Sequence, residues 1–356
     1  MKVVYISILS VAGLLFVLAL ILILTGGGGT AEPRLKLNET CKSENFTGIC
    51  ASKDSCLTNL TTTKLESCNE GDLSLFCCPK RIPGEKAKEM CEIYGKAAIK
   101  HVMNPEKPDC RVEEEVRNGH AKEKEFPHMV LIAKLILPTS SSESSGLLWM
   151  CSGSVVSPQF VLSVAHCKVT KDDGYVFFGI NKKPTSDEIM ELFRSHSSVI
   201  SDVYIHPHYN TKNNANDIAL YKLPIKLNES QRPICLDTGI SLFNKMVIET
   251  SFGINKEKQF NLEKVGLNII DPGSCAATYK RFIDDFPERY ICAGENTCWG
   301  DSGGPIQIAH SEHKCMYTLI GVSSFGPNCS LDTNLPSVYT KVSDYIGWIE
   351  DIVWPA

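Results

Sequence analysis

The chain of 356 residues has no excess of basic side chains, no repeating period, and no metal-type spacing in its most cysteine-dense stretch. Lys and Arg number 36 against 41 Asp and Glu, a net charge of −5, so there is no basic field suited to nucleic acid. Without a period the chain is neither collagen-like nor a solenoid. A hydrophobic content of 43% excludes a mainly disordered chain. The length exceeds what one core usually serves, so two or three domains are expected. What the chain has in quantity is cysteine: 16, an even number. A reducing cytosol does not sustain bridges on that scale, so the chain is read as exported.

Residues 1–31 agree. Lys2 precedes an uncharged run from Val3 to Leu24, followed by Thr25 and glycines Gly26 to Gly29. At about 1.5 Å per residue the run spans roughly 33 Å, enough to cross a bilayer. Its length fits a retained anchor, whereas the small residues after Leu24 fit a cleaved signal peptide. Both alternatives place the rest of the chain outside the cytoplasm.

Six cysteines then crowd together: Cys41, Cys50, Cys56, Cys68, Cys77 and Cys78. Phe46 and Phe76 are the main large apolar side chains there, too little to fold alone, so three disulfides are the expected staple. The stretch has no Cys-x2-Cys pair and no histidine, which argues against zinc. Residues 79–115, rich in Pro, Lys and Glu, read as a linker carrying Cys91 and Cys110. From Val116 to Ala356 short β-rich runs alternate with turn residues, among them Met129–Leu137, Phe160–Ala165, Tyr175–Phe178, Ile218–Leu223, Glu263–Ile270 and Tyr317–Ser323. This pattern predicts an all-β barrel or sandwich, and Tyr345 to Trp354 has helical spacing.

Three motifs stand in order: Ser163-Val164-Ala165-His166-Cys167, Asn216-Asp217-Ile218-Ala219-Leu220, and Gly300-Asp301-Ser302-Gly303-Gly304-Pro305. Each alone has a bland reading as a structural histidine, a strand start or a tight loop. Together they fit one chemistry. A serine hydroxyl is a weak nucleophile until an imidazole takes its proton. A buried carboxylate then fixes the imidazole tautomer and stabilises the imidazolium. Glycines beside the serine let backbone N–H groups approach a developing oxyanion.

On these motifs residues 116–356, about two thirds of the chain, resemble a chymotrypsin-fold serine protease. The resemblance implies two six-stranded β-barrels closed by a C-terminal helix. It makes His166 the general base, Asp217 its orienter and Ser302 the nucleophile, with the backbone N–H groups of Gly300 and Ser302 as the oxyanion hole. It also implies the bridges Cys151–Cys167, Cys275–Cys292 and Cys298–Cys329. The cysteine-rich stretch 41–78 is similar to the clip domain of arthropod proteases, which implies Cys41–Cys77, Cys50–Cys68 and Cys56–Cys78. A linker bridge in that family implies Cys110–Cys235, which leaves Cys91 for Cys315. His206-Pro207-His208 matches an ordinary loop of the family rather than a metal site. Sequons occur at Asn38, Asn45, Asn59, Asn228 and Asn328, the first four suited to glycans.

Two segments depart from the family pattern. The activation segment is Val116-Arg117-Asn118-Gly119 preceded by Glu115, a poor site for a trypsin-like activator; Val116 is expected to pair with Asp301 after cleavage. Arg111-Val112 has a better cleavage chemistry but lies four residues too early. The primary pocket has Asn296 where trypsin-like members carry an aspartate, with Ser324, Gly326 and Ser337 as walls. The resemblance therefore implies an extracellular endopeptidase zymogen of a proteolytic cascade, with arthropod immunity or development as the setting, and a preference away from basic residues. The alternative is a non-catalytic homologue acting as a cofactor. The implied partners are protein substrates, an upstream activating protease and serpin-type inhibitors. No cofactor, metal or nucleic acid is expected, and membrane contact only if the N-terminal segment is retained.

Overall fold

The computed structural model of the chain describes residues 35–43, 46–53, 56, 65–69, 72–102, 118–137, 146–185, 188–242, 245–252, 261–280, 289–294, 302–314, 316–326 and 335–355. The apolar run near the N-terminus, the bridge Cys298–Cys329 and the sequons at Asn45, Asn59 and Asn328 lie outside them. Among the described residues, no helix is long and apolar enough to cross a membrane.

The N-terminal module is a four-stranded antiparallel sheet in the order Thr40–Lys42, Thr47–Ala51, Asp72–Pro79, Ser67–Asn69. Cys41–Cys77, Cys50–Cys68 and Cys56–Cys78 cross-link it, the pairing implied by the resemblance. Its two buried clusters hold Cys41, Phe46, Cys50 and Cys77 in one and Ala51, Cys56 and Cys78 in the other. Sulfur replaces hydrocarbon as the material of this small interior.

The stretch read as a linker contains helix α1, Glu85–Val102. Its charged composition hides a narrow buried stripe: Ala87, Cys91, Tyr94 and Ala98 recur at helical spacing. Gly84 and Ala87 donate their backbone N–H groups to Glu350 Oε1 at 3.1 and 2.7 Å, so a carboxylate from the far end of the chain caps the helix. The stripe faces the strand Cys235–Leu236, and the bridge formed is Cys91–Cys235. This overturns both Cys110–Cys235 and Cys91–Cys315; Cys110 and Cys315 lie outside the described residues. The helix is the reason: it seats Cys91, not Cys110, against Cys235, with the Cα atoms 5.1 Å apart.

Two curled sheets follow, each closing on itself as a barrel. In the first, the strands Gly174–Phe178, Met129–Ile136, Gly146–Ser157, Phe160–Ser163 and Ala219–Lys222 pair in that order. Ser197–Val199 and Asp202–Ile205 are two halves of one bent strand that pairs with both ends and completes six. In the second, Tyr317–Phe325, Pro305–Ala309, Met246–Ser251, Glu263–Ile270, Tyr290–Ala293 and Ser337–Lys341 close when the last pairs with the first. Gly119–His120 and Cys235–Leu236 add short outer pairings. Two short helices, α2 (Ile189–Ser195) and α3 (Pro272–Tyr279), decorate the barrels. The expected C-terminal helix is α4, Ile346–Val353. The strand Glu263–Ile270 begins and ends where the sequence places it, Ile218–Leu223 is shorter by one residue at each end, and the other predicted runs shift by one or two residues at one end.

Candidate active site

The site lies where the two barrels meet. His166 sits in a short 3-10 turn, Ala165–Cys167, at the end of the strand Phe160–Ser163, and Cys151–Cys167 ties that turn to the neighbouring strand. Asp217 follows Asn216, which has φ 56°, just before the strand Ala219–Lys222. The Asn216 carboxamide accepts from the Tyr345 hydroxyl at 2.9 Å and from Arg289 Nη1 at 3.3 Å, fixing the approach to Asp217. These are the devices by which local backbone geometry aims two side chains at one another.

Ser302 is held by its own main chain. Its carbonyl accepts from Ser152 N at 2.8 Å in the first barrel, and Gly303 N donates to Ser323 O at 2.8 Å in the second. Gly303 has φ 79°, and a Cβ there would stand 2.1 Å from Ser163 Oγ and 2.2 Å from Ser152 O. Only glycine fits that position.

Asp217 is fully buried. Its Oδ1 accepts from His166 N at 2.9 Å; its Oδ2 accepts from His166 Nδ1 and from Ser324 Oγ, each at 2.6 Å. Thr340 Oγ1 donates to its backbone carbonyl at 2.9 Å. A carboxylate accepts only, so the ring proton of His166 lies on Nδ1 and the Nε2 lone pair faces Ser302 Oγ, 3.0 Å away. Burial, and then the charge of Asp217, push the Tyr221 and Tyr290 hydroxyls well above their ordinary range. The imidazole edge is partly open to solvent, with 26% of its side chain exposed, so a substrate can reach the pair.

The other predicted site residues divide. Ser324, expected as a pocket wall, gives its hydroxyl to Asp217. Gly326 and Ser337 face each other so closely that a Cβ on Gly326 would lie 2.7 Å from Ser337 Oγ. Phe325, between Ser324 and Gly326 in sequence, packs edge-on against Tyr279 and Tyr290. Asn296, Gly300, Asp301 and Val116 lie outside the described residues. Thr340, Tyr345 and Arg289 escaped the sequence reading; no local motif marks them, since they act through residues distant in the chain. Cys151, His166 and Cys167 cluster closely, but both sulfurs are joined in a disulfide and offer no thiolate to a metal. A cleft lined by Phe126, Gly179, Leu192 and Gln231 includes none of the triad.

Comparison with known proteins gives the same family from independent features. The sequence profile described as Trypsin matches residues 118–349. Serine protease snk of Drosophila melanogaster is 30% identical over 244 residues, 64% of this chain and 54% of that protein. CLIP domain-containing serine protease B4 of Anopheles gambiae is 30% identical over 275 residues, 70% of this chain and 74% of that protein. Phenoloxidase-activating factor 3 of Holotrichia diomphalia is 28% identical over 250 residues, 64% of this chain and 69% of that protein. The chain thus spans about half of the snk protein and more of the other two. With the matched region covering both barrels and all three aligned side chains, the chain belongs to the trypsin family of serine proteases.

Proposed function

We propose that the chain is an extracellular serine endopeptidase made as a zymogen, with residues 41–78 as a clip domain, 79–115 as the linker and activation segment, and 116–356 as the catalytic domain. The observation that carries it is the unbroken line from Asp217 Oδ2 through His166 to Ser302 Oγ, with contacts of 2.6 and 3.0 Å. Ser302 Oγ attacks the scissile carbonyl carbon as its proton passes to His166 Nε2. Asp217 stabilises the imidazolium so formed. The tetrahedral oxyanion rests on the backbone N–H groups of Gly300 and Ser302. Collapse of this intermediate expels the amine, which takes the proton from Nε2 and leaves an acyl-enzyme for water to hydrolyse.

The cascade setting rests on the relatives, whose names include a phenoloxidase-activating factor and clip-domain proteases. An upstream protease and serpin-type inhibitors are the matching partners. Val116 supplies the new terminus that pairs with Asp301. The Asn118 side chain supports this register: its Oδ1 accepts from Gly266 N at 2.8 Å, anchoring the segment two residues beyond Val116. In the primary pocket, Asn296 lacks the charge that would pair with Arg or Lys, a loss of about 3–5 kcal/mol for a desolvated cation. Ser337 narrows the space opposite Gly326, so medium-sized neutral residues fit best. The non-catalytic alternative draws on the atypical cleavage site at Glu115-Val116.

The test is incubation of the intact secreted chain with candidate activators, followed by a fluorophosphonate probe. Labelling of wild type and none of Ser302→Ala is the expected result. Equal peptide hydrolysis by Ser302→Ala would end the enzyme reading. A positional scanning library on the labelled-competent material should show neutral preference, and dominance of Arg or Lys would refute the pocket assignment.

A further inference from the structure

Helix α1 is seated on the catalytic domain at two places, and the second is built around two histidines. The first is its capped N-terminal end at Glu350. The second is the turn between the strands Pro305–Ala309 and Tyr317–Phe325, where His310 and His313 stack with centroids 4.7 Å apart and planes 29° apart. His310 Nδ1 accepts from the backbone N–H groups of Glu312 and His313, both at 3.1 Å. A nitrogen that accepts carries no proton, so the ring hydrogen sits on Nε2, 3.3 Å from Cys91 Sγ in the Cys91–Cys235 bridge. His313 lies flat on the helix at Gly95: a Cβ there would stand 2.6 Å from the ring Cγ. Glycine inside a helix costs about 1 kcal/mol relative to alanine, and the ring explains why it is present.

We propose that this seat is an acid-released latch: proton uptake by His310 loosens the turn from α1, while the Cys91–Cys235 bridge keeps the N-terminal segment tethered. A proton on His310 must enter at Nδ1, which expels both backbone N–H groups that hold the turn. The charged groups around the stack are Glu312 and Lys314 on the turn, and Glu92 and Lys96 beside Cys91 and Gly95 on the helix. Lys96 and Glu92 pair with each other at 3.5 Å. The Tyr94 hydroxyl, pushed up to about 12 by burial, stays neutral. Burial, and then the charge of His313, hold His310 below its ordinary 6.5, with Glu312 opposing them. The sign follows: a depressed histidine favours the seated state in full above about 6.5, and that contribution is lost as pH falls below it. The latch is independent of catalysis and holds for the non-catalytic reading as well.

Hydrogen–deuterium exchange on the intact chain at about pH 7.5 and about pH 5.5, corrected for intrinsic rates, tests the latch. Amides of α1 are expected to lose protection by about threefold or more at the lower pH, while those of Met129–Ile136 stay unchanged. His310→Asn keeps a side-chain acceptor for the Glu312 and His313 amides but takes up no proton, and should cut that response by more than half. Equal protection of α1 at both pH values, or an undiminished response in His310→Asn, overturns the proposal. If that variant does not fold, histidine-selective NMR of the wild type decides: His310 must titrate below about 6.5, and titration at or above that value refutes the latch.

Discussion

In the N-terminal module the buried side chains are mostly cysteines, whereas the first barrel is filled by Val130, Leu131, Ile132, Val161, Leu162, Phe177 and Leu220, all nearly inaccessible. The module closes its fold with three covalent bonds. The barrels close theirs by alternating strands whose inward residues interdigitate. The contrast is one of what each region's order depends on. A module with so little hydrocarbon depends on redox conditions, and a barrel depends on apolar packing. The three residues proposed as catalytic all lie in the region of the second kind, whose scaffold rests mainly on packing and adds the ties Cys151–Cys167 and Cys275–Cys292.

The largest expected effect separates chemistry from stability within the barrels. Asp217→Asn should lower turnover by about four orders of magnitude, because the amide favours the wrong imidazole tautomer. Its thermal midpoint should fall only modestly, since Ser324 and Thr340 still find acceptors at residue 217. A turnover loss under about tenfold would mean that Asp217 does not orient His166. Next in size, replacing both Cys50 and Cys68 with serine should destabilise the module by about 2–4 kcal/mol. Amide exchange in Thr47–Ala51 would then rise while that in Phe160–Ser163 does not. Simultaneous loss in both would show that the two regions fold as one unit and erase the contrast. The smallest effect is at their junction. Gly95→Ala adds helix propensity worth about 1 kcal/mol, yet the new methyl meets the His313 ring. A lower unfolding temperature is expected, and a rise would show that the ring is free to move aside.

Legibility in the sequence followed the range of the interaction. His166, Asp217 and Ser302 were readable because each carries its own local signature, and the six cysteines of the module because their spacing is compact. The strands were readable as short β-rich runs set off by turn residues. Cys91 was misassigned because its partner depends on α1, whose stripe of Ala87, Cys91, Tyr94 and Ala98 is outnumbered by charged neighbours. Ser324 was placed on a pocket wall because its motif carries that role, and its hydroxyl's contact with Asp217 spans 107 residues of chain. Glu350 lies on the C-terminal helix. Nothing nearby in sequence says that it caps a helix more than 260 residues earlier.

The Cys91–Cys235 bridge also has a topological consequence. It spans 144 positions and so makes a covalent ring that contains His166 and Asp217 but leaves Ser302 on the tail. Closing a ring of that size restrains the unfolded chain by an entropy worth on the order of 5 kcal/mol. A cut between the two cysteines, unless it falls inside the nested Cys151–Cys167 loop, opens the ring without shedding a fragment, and that restraint disappears. An uncut chain that has been reduced can search for its native pairing within one molecule. A cut chain, once reduced, becomes two molecules whose reunion depends on concentration. Cleavage in this ring therefore gives the protein a history: once cut, the chain can no longer be rebuilt from its reduced form as a single molecule.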